Sequence, residues 1–167
     1  MDILIERASP LDAAGVLEFL QLAGSETDNL TFGAEGLPYS VESEAAFLRQ
    51  IESSRDDVMF LAKVNDQIVG SASLNRTPRR MRHRGEFSVT VLKSHWNMGI
   101  GSKLLSKIIS FAKENDFEII DLQVRSDNLA AIHLYEKFGF QKLGSHPAFF
   151  KINDSYVPFD YMILNIQ

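Results

Sequence analysis

The sequence contains no cysteine. This absence excludes disulfide bonds, a thiolate nucleophile and metal sites with cysteine ligands. It also suits a reducing cytoplasm, which is the location we expect for the protein. Long apolar runs are missing as well. No stretch reaches the roughly 18 residues of a membrane span, and the residues after Met1 lack the basic and apolar regions of a secretory signal. We therefore expect no membrane partner.

Positive charge is scarce. The sequence has 17 Lys and Arg residues and 22 Asp and Glu residues, which gives a formal net charge of −5. This negative charge argues against general nucleic-acid binding. Five arginines nevertheless fall within the nine residues from Arg76 to Arg84, a segment without an acidic residue that we call the arginine loop. It could be a solvated loop between two strands, or a contact for a phosphate, an acidic partner or RNA. An RNA- or ribosome-associated function therefore stays open as an alternative.

The length and the hydrophobic content of 45% predict a single domain, residues 1–167, with a real core. Apolar periodicity and turn signals predict strands, helices and a final hairpin that turns at Asn153 and Asp154. This order is typical of a mixed α+β fold. The predicted strands are 3–5, 58–64, 67–74, 86–92, 118–124, 140–150 and 156–166, and the predicted helices are 9–24, 40–54, 100–115 and 128–138.

The segment from Val89 to Ser102 begins as an alternating strand and ends in the glycine pair Gly99 and Gly101, after which a helix starts. A strand that enters a helix through glycines leaves the first N–H groups of the helix unpaired, and the helix dipole favours an anion there. Glycine also lets the backbone approach a phosphate closely. The strand–helix–strand step around this turn should be parallel. Taken alone, such a glycine pair is equally typical of an ordinary turn.

Two segments carry a resemblance. Residues 97–102, Asn-Met-Gly-Ile-Gly-Ser, resemble the acyl-CoA pyrophosphate loop of the GNAT superfamily of N-acetyltransferases. Residues 124–140, with Leu-Tyr-Glu-Lys before Gly-Phe, resemble a later motif of that family, in the family's order and spacing. The resemblance implies a central twisted mixed sheet of about seven strands, splayed in the middle, with about four helices on its faces. It also implies an enzyme that transfers an acetyl group from acetyl-CoA to a primary amine of a small-molecule or peptide-like acceptor.

The resemblance further implies the residues that hold acetyl-CoA. The backbone of Val89, Thr90 and Val91 would pair with the pantetheine amides as another strand would, and Asn128 would contact the cofactor from the opposite strand end. Asn128 suits a helix N-cap equally well. The family usually has Arg or Gln where Trp96 stands, which puts a side-chain contact to the pyrophosphate from this position in doubt. The pyrophosphate would be wrapped by Asn97, Met98, Gly99, Ile100, Gly101 and Ser102.

The same resemblance assigns Tyr135 as the general acid that protonates the leaving thiolate, with a core tyrosine as the alternative. Glu86 could be the general base, directly or through water, or a strand glutamate paired with an arginine. Without cysteine or a recognisable serine nucleophile, we expect direct transfer with no covalent enzyme intermediate. The four histidines lack metal-ligand spacing, so no metal is expected. A non-catalytic acetyl-CoA sensor module is a further alternative.

By resemblance, segments 25–39 and 144–156 should bound the acceptor pocket. The first carries Glu26, Asp28 and Glu35 without a basic residue, together with Phe32. Acids beside aromatics suit a cationic amine through ion pairing and cation–π contact, although each acid could equally be a solvated loop charge. The apolar C-terminal hairpin could pair between subunits, so monomer and homodimer both stay open.

Overall fold

The computed structural model describes all residues, Met1–Gln167, and has the expected α+β architecture of seven strands and four helices. None of the helices is long and apolar enough to cross a membrane. The elements are β1 (Leu4–Arg7), α1 (Ala13–Glu26), α2 (Val41–Ile51), β2 (Asp57–Val64), β3 (Gln67–Arg76), β4 (Arg84–Val91), α3 (Ile100–Glu114), β5 (Ile119–Arg125), α4 (Leu129–Lys137), β6 (Gln141–Ile152) and β7 (Ser155–Asn165).

The seven strands form one sheet in the order β1-β2-β3-β4-β5-β7-β6. Every neighbouring pair is antiparallel except β4 and β5, which are parallel. The parallel pair flanks α3, so the strand–helix–strand expectation is confirmed. The final hairpin turns at Asn153 and Asp154, both with positive φ, as expected.

Helices cover both faces of the sheet, because neighbouring residues of a strand point in opposite directions. Leu61 of β2 packs in a cluster with Val16 of α1 and Leu48 of α2. The next residue, Ala62, belongs instead to the larger core, which includes Leu104 of α3. Helices α1 and α2 therefore lie on one face of the sheet and α3 on the other.

The start and the end of α1 differ from the sequence prediction. Residues Pro10–Asp12 form a 3₁₀ turn, and α1 itself begins at Ala13. The helix also continues past Gly24 to Glu26. Gly24 lies within the helix, where its missing side chain leaves room for the backbone of Gly33: a Cβ at Gly24 would lie 2.2 Å from the carbonyl oxygen of Gly33. The glycine lets the chain that follows α1 fold back against the helix.

Strands β4 and β5 separate early. Their pairing is limited to Arg84–Glu86 on β4 and Ile119–Asp121 on β5, although β4 continues to Val91 and β5 to Arg125. A gap therefore opens between the carboxyl ends of the two central strands, and this gap positions the candidate site.

Candidate active site

A cleft of about 380 Å³ occupies the gap between β4 and β5. Every residue predicted to be catalytic or cofactor-binding lines it, except Glu86 and Met98. A larger depression of about 580 Å³ lies over β5, β6 and β7 and contains none of the motif residues. The motif residues that line the cleft are Val89, Thr90, Val91, Asn97, Gly99, Ile100, Gly101, Ser102, Asn128 and Tyr135.

The β4 wall of the cleft offers backbone groups at alternate residues. Leu92 N–H donates to the Val69 carbonyl at 2.9 Å, and the Arg84 carbonyl accepts from Thr77 N–H at 3.0 Å. Even-numbered residues of β4 therefore direct their backbone groups towards β3, and this alternation includes Thr90. Val89 and Val91 direct theirs into the gap, beyond the point where β5 has separated. Of the three strand residues predicted to pair with a ligand, Thr90 lines the cleft without a free backbone group.

The N-terminus of α3 forms the second wall. Gly99 is the N-cap with φ of +76°, a conformation that favours glycine, and a Cβ there would meet nothing within 4 Å. The first helical bond runs from Lys103 N–H to the Gly99 carbonyl at 3.1 Å. The N–H groups of Ile100, Gly101 and Ser102 precede that bond, and no acidic residue lies in the first turn. This arrangement fits a phosphate group.

Tyr135 lies at the inner end of the cleft and is 6% exposed. Its ring packs edge-on against Phe87 of β4, with 6.0 Å between centroids, and against Phe140 at 5.7 Å. Burial raises the pKa of the Tyr135 hydroxyl well above its usual value, and no neighbouring charge offsets this effect. The hydroxyl therefore stays protonated at neutral pH, the form that a general acid requires.

Asn128 serves as a helix cap and also lines the cleft. Its side-chain oxygen accepts a hydrogen bond from Ala131 N–H at 3.3 Å at the start of α4. The N-cap interpretation is therefore confirmed. Because capping uses the oxygen, the side-chain NH₂ is the group that Asn128 could offer to a ligand.

Glu86 lies on the other side of β4. Side chains alternate along a strand, so Glu86 points away from the face that carries Phe87 and Tyr135. Its carboxylate is exposed and belongs to no ion pair, whereas the adjacent Asp121 on β5 pairs with Arg84 at 2.7 Å. Glu86 is thus not the arginine-paired glutamate that the sequence left open. A proton could pass from an amine in the gap to Glu86 only around the edge of β4 or through water.

The four residues predicted to bind the acceptor do not converge. The Glu26 carboxylate accepts a hydrogen bond from Lys93 N–H at 2.8 Å, beside the cleft. Asp28 is exposed, and Phe32 is half-buried against Gly24. The carboxylate of Glu35 accepts from Gly33 N–H at 2.9 Å, which lowers the pKa of Glu35. Glu35 lines a separate depression on the outer side of α1.

Eight residues that line the cleft were not among the predicted site residues: Thr27, Asn29, Leu30, His95, Trp96, Ala130, Ala131 and Leu134. Five of them lie within or next to the two motif segments, whereas Thr27, Asn29 and Leu30 follow α1 directly, in a loop without a motif that the sequence assigned to the acceptor pocket. The only signal that could have found them is their position, because the chain leaving α1 passes the carboxyl end of β4.

Three of the five arginines in the arginine loop make contacts within the fold, whereas Arg79 and Arg80 are exposed. Arg82 donates to both carboxylate oxygens of Asp56 at 3.1 Å, and Arg84 pairs with Asp121. Arg76 Nε lies 2.7 Å from Asp56, although the angle is not that of a hydrogen bond. These contacts favour a structural role for the loop over nucleic-acid binding.

Histidine, aspartate and glutamate side chains form no cluster of three or more that could hold a metal ion.

Comparisons with known proteins agree with this geometry. A family model described as "Acetyltransferase (GNAT) family" matches residues 25–140. N-alpha-acetyltransferase RimI of Mycobacterium tuberculosis is 30% identical over 110 residues, which are 65% of this chain and 67% of that protein. The structure of an acetyltransferase of the GNAT family from Streptococcus pneumoniae matches with a TM-score of 0.95 and 32% identity, covering 99% of this chain and 100% of that chain. The Salmonella typhimurium protein yncA, solved with its cofactor acetyl-CoA, matches with a TM-score of 0.85 at 22% identity, over 99% of this chain and 94% of that chain, and shows the fold alone.

Proposed function

Because the chain belongs to the GNAT family of acetyltransferases, as its match over residues 25–140 shows, we propose that it transfers the acetyl group of acetyl-CoA directly to a primary amine. The observation that carries this proposal is the convergence on one cleft of three features: the free N-terminus of α3, the backbone N–H groups of Val89 and Val91 that β5 leaves unpaired, and the protonated Tyr135.

The residues fit acetyl-CoA at both ends. The α3 N-terminus would hold the pyrophosphate through the N–H groups of Ile100, Gly101 and Ser102. Val89 and Val91 would pair with the pantetheine amides as an added strand. Asn128 could contribute its NH₂ group from the α4 side. When bound, acetyl-CoA supplies the activated thioester.

Transfer forms a C–N bond and breaks the C–S bond, and an amine that arrives protonated gives up two protons, one before attack and one as the C–N bond forms. An amine has a pKa near ~10 and must lose a proton before attack. Glu86, through water or around the edge of β4, would accept this first proton and release it to solvent. A backbone N–H of Val89 or Val91 would stabilise the developing oxyanion. Tyr135 would donate a proton to the thiolate, and the second proton of the amine restores the Tyr135 hydroxyl. No residue is required to carry the acetyl group.

The acceptor that we propose is a small or peptide-like amine. The related Mycobacterium tuberculosis protein is an N-alpha-acetyltransferase, which supports a peptide N-terminus as one candidate class. Cationic recognition by segment 25–39 has weaker support than the sequence suggested, because the Glu26 and Glu35 carboxylates are already hydrogen-bonded within the fold. The single-domain organisation, the cytoplasmic location and the oligomeric state stay predictions.

Thiol release from acetyl-CoA, measured across amino acids, polyamines, aminoglycosides and peptide N-termini, tests the proposal. We expect stoichiometric release of CoA and an N-acetylated product with one class of amine. Acetyl-CoA-dependent thermal stabilisation without thiol release on any amine would instead support the sensor alternative. Ping-pong kinetics or a trapped acetyl-enzyme would contradict direct transfer.

A further inference from the structure

The side chain of Trp96 closes the turn between β4 and α3. Its indole N–H donates a hydrogen bond to the carbonyl oxygen of Val91 at 2.7 Å, five residues earlier. The ring lines the cleft, is 43% exposed, and has the Lys93 ammonium 6.0 Å from its centroid. A 3₁₀ turn over Lys93–His95 holds the backbone beneath it. Trp96 thus stands between the strand wall and the α3 wall of the cleft.

The bond engages one of the backbone acceptors on the open edge of β4. Val89 and Val91 each turn an N–H and a C=O into the gap, since the pairing of β4 with β5 ends at Glu86 and Asp121. With the Val91 carbonyl engaged by Trp96, the edge retains Val89 N–H, Val89 C=O and Val91 N–H. A ligand N–H that pairs with this edge therefore finds an unengaged acceptor at Val89 but not at Val91.

We infer that Trp96 is a positioning residue that sets the register of the pantetheine arm on β4; this inference rests on the proposed function. A strand-like ligand could otherwise slip by two residues, which moves it about 7 Å along the edge. A slip towards the α3 end would bring a ligand N–H opposite the Val91 carbonyl, where it would compete with the indole N–H that already donates to that oxygen. The correct register keeps the thioester near Tyr135. The Trp96 side chain thus acts by hydrogen-bonding to strand β4 rather than by contacting the pyrophosphate.

The chain offers a clean test because Trp96 is its only tryptophan. Two changes remove the donor: Trp96→Phe, and replacement of Trp96 by 3-benzothienylalanine, which keeps the bicyclic shape and has sulfur in place of the N–H. Binding of acetyl-CoA and of ADP is measured by calorimetry for each protein. ADP carries the diphosphate without the pantetheine arm. Circular dichroism verifies the fold, and Phe47→Leu, an exposed aromatic site on α2 outside the cleft, serves as the control.

We expect both donor-free proteins to bind acetyl-CoA roughly three- to tenfold more weakly, the scale of one hydrogen bond, with ADP affinity changed less than about twofold. An equal loss of affinity for acetyl-CoA and for ADP would place the role of Trp96 at the diphosphate and overturn the inference. Unchanged acetyl-CoA affinity in the benzothienyl protein would also overturn it. These measurements are binding constants, so they do not depend on whether the protein catalyses acetyl transfer. If no amine is acetylated but the two affinities split as expected, the proposed reaction fails and the role of Trp96 survives.

Discussion

The carboxylate of Glu26, at the last residue of α1, accepts a hydrogen bond from the backbone N–H of Lys93 at 2.8 Å. This contact fastens the chain that leaves α1 to the turn after β4. Two residues on, the Asp28 carbonyl lies 3.5 Å from an Arg125 guanidinium nitrogen at the end of β5. The segment Glu26–Asp28 therefore contacts both the turn that follows β4 and the end of β5.

Changing Glu26 should distinguish a fastening role from direct recognition of a cationic acceptor. In Glu26→Gln the amide oxygen can still accept from Lys93 N–H, so we expect the acceptor KM to stay within about twofold of wild type. Glu26→Ala loses the contact, and the acceptor KM should rise several-fold because Thr27, Asn29 and Leu30 shift. Steady-state kinetics with acceptor varied provides the measurement. Equal losses in the Gln and Ala proteins would indicate that the charge itself binds the acceptor.

Tyr135→Phe should reduce kcat by roughly 10²- to 10⁴-fold, the range of general acid catalysis. The KM for acetyl-CoA should change little, because the ring and its packing against Phe87 are retained. Tyr161→Phe, which removes a hydroxyl from β7 outside the cleft and outside both predicted acceptor segments, is the matched control and should behave as wild type. Unchanged turnover in Tyr135→Phe would remove this residue from the mechanism.

Glu86→Gln should lower kcat by on the order of 10² near neutral pH, since a general base contributes about that much. The deficit should shrink as the pH approaches ~10, where the amine loses its proton without help. A pH–rate profile of both proteins measures this convergence. Glu118→Gln is the control, because Glu118 is also exposed and precedes β5. A deficit that is independent of pH would contradict proton transfer to Glu86.

Glu44 on α2 is buried to 6% exposure, and burial raises the pKa of its carboxyl above the usual 4.5. Since the unfolded chain ionises first as the pH rises, this group destabilises the fold above about pH 4.5. Glu44→Gln should therefore increase the free energy of unfolding at pH 7 and have little effect at pH 4. Denaturant unfolding at both pH values is the measurement. Glu42→Gln, exposed on the same helix, should show no such gain.

Local signals in the sequence predicted most elements because their causes lie within a few residues. Ser40 caps α2 by accepting from Ser43 N–H at 3.1 Å. Asn65 and Asp66 both take positive φ in the turn between β2 and β3, and Gly139 has φ of +97° after α4. Such hydrogen bonds and dihedral preferences depend on neighbouring residues alone. The two motif segments likewise carried the resemblance that the family match confirms.

The sequence by itself thus determined the order of the elements, the glycine turn before α3 and the family. Only the tertiary structure decided which groups remain available in the cleft. Glu26 contacts Lys93, which is 67 residues away in the sequence, and Arg84 pairs with Asp121, which is 37 residues away. Acids and arginines could have paired in many ways, and the parallel register of β4 and β5 selected one of them. The availability of the Val89 and Val91 backbone was fixed in the same way, because it depends on where β5 leaves β4, and no residue of β4 encodes that point.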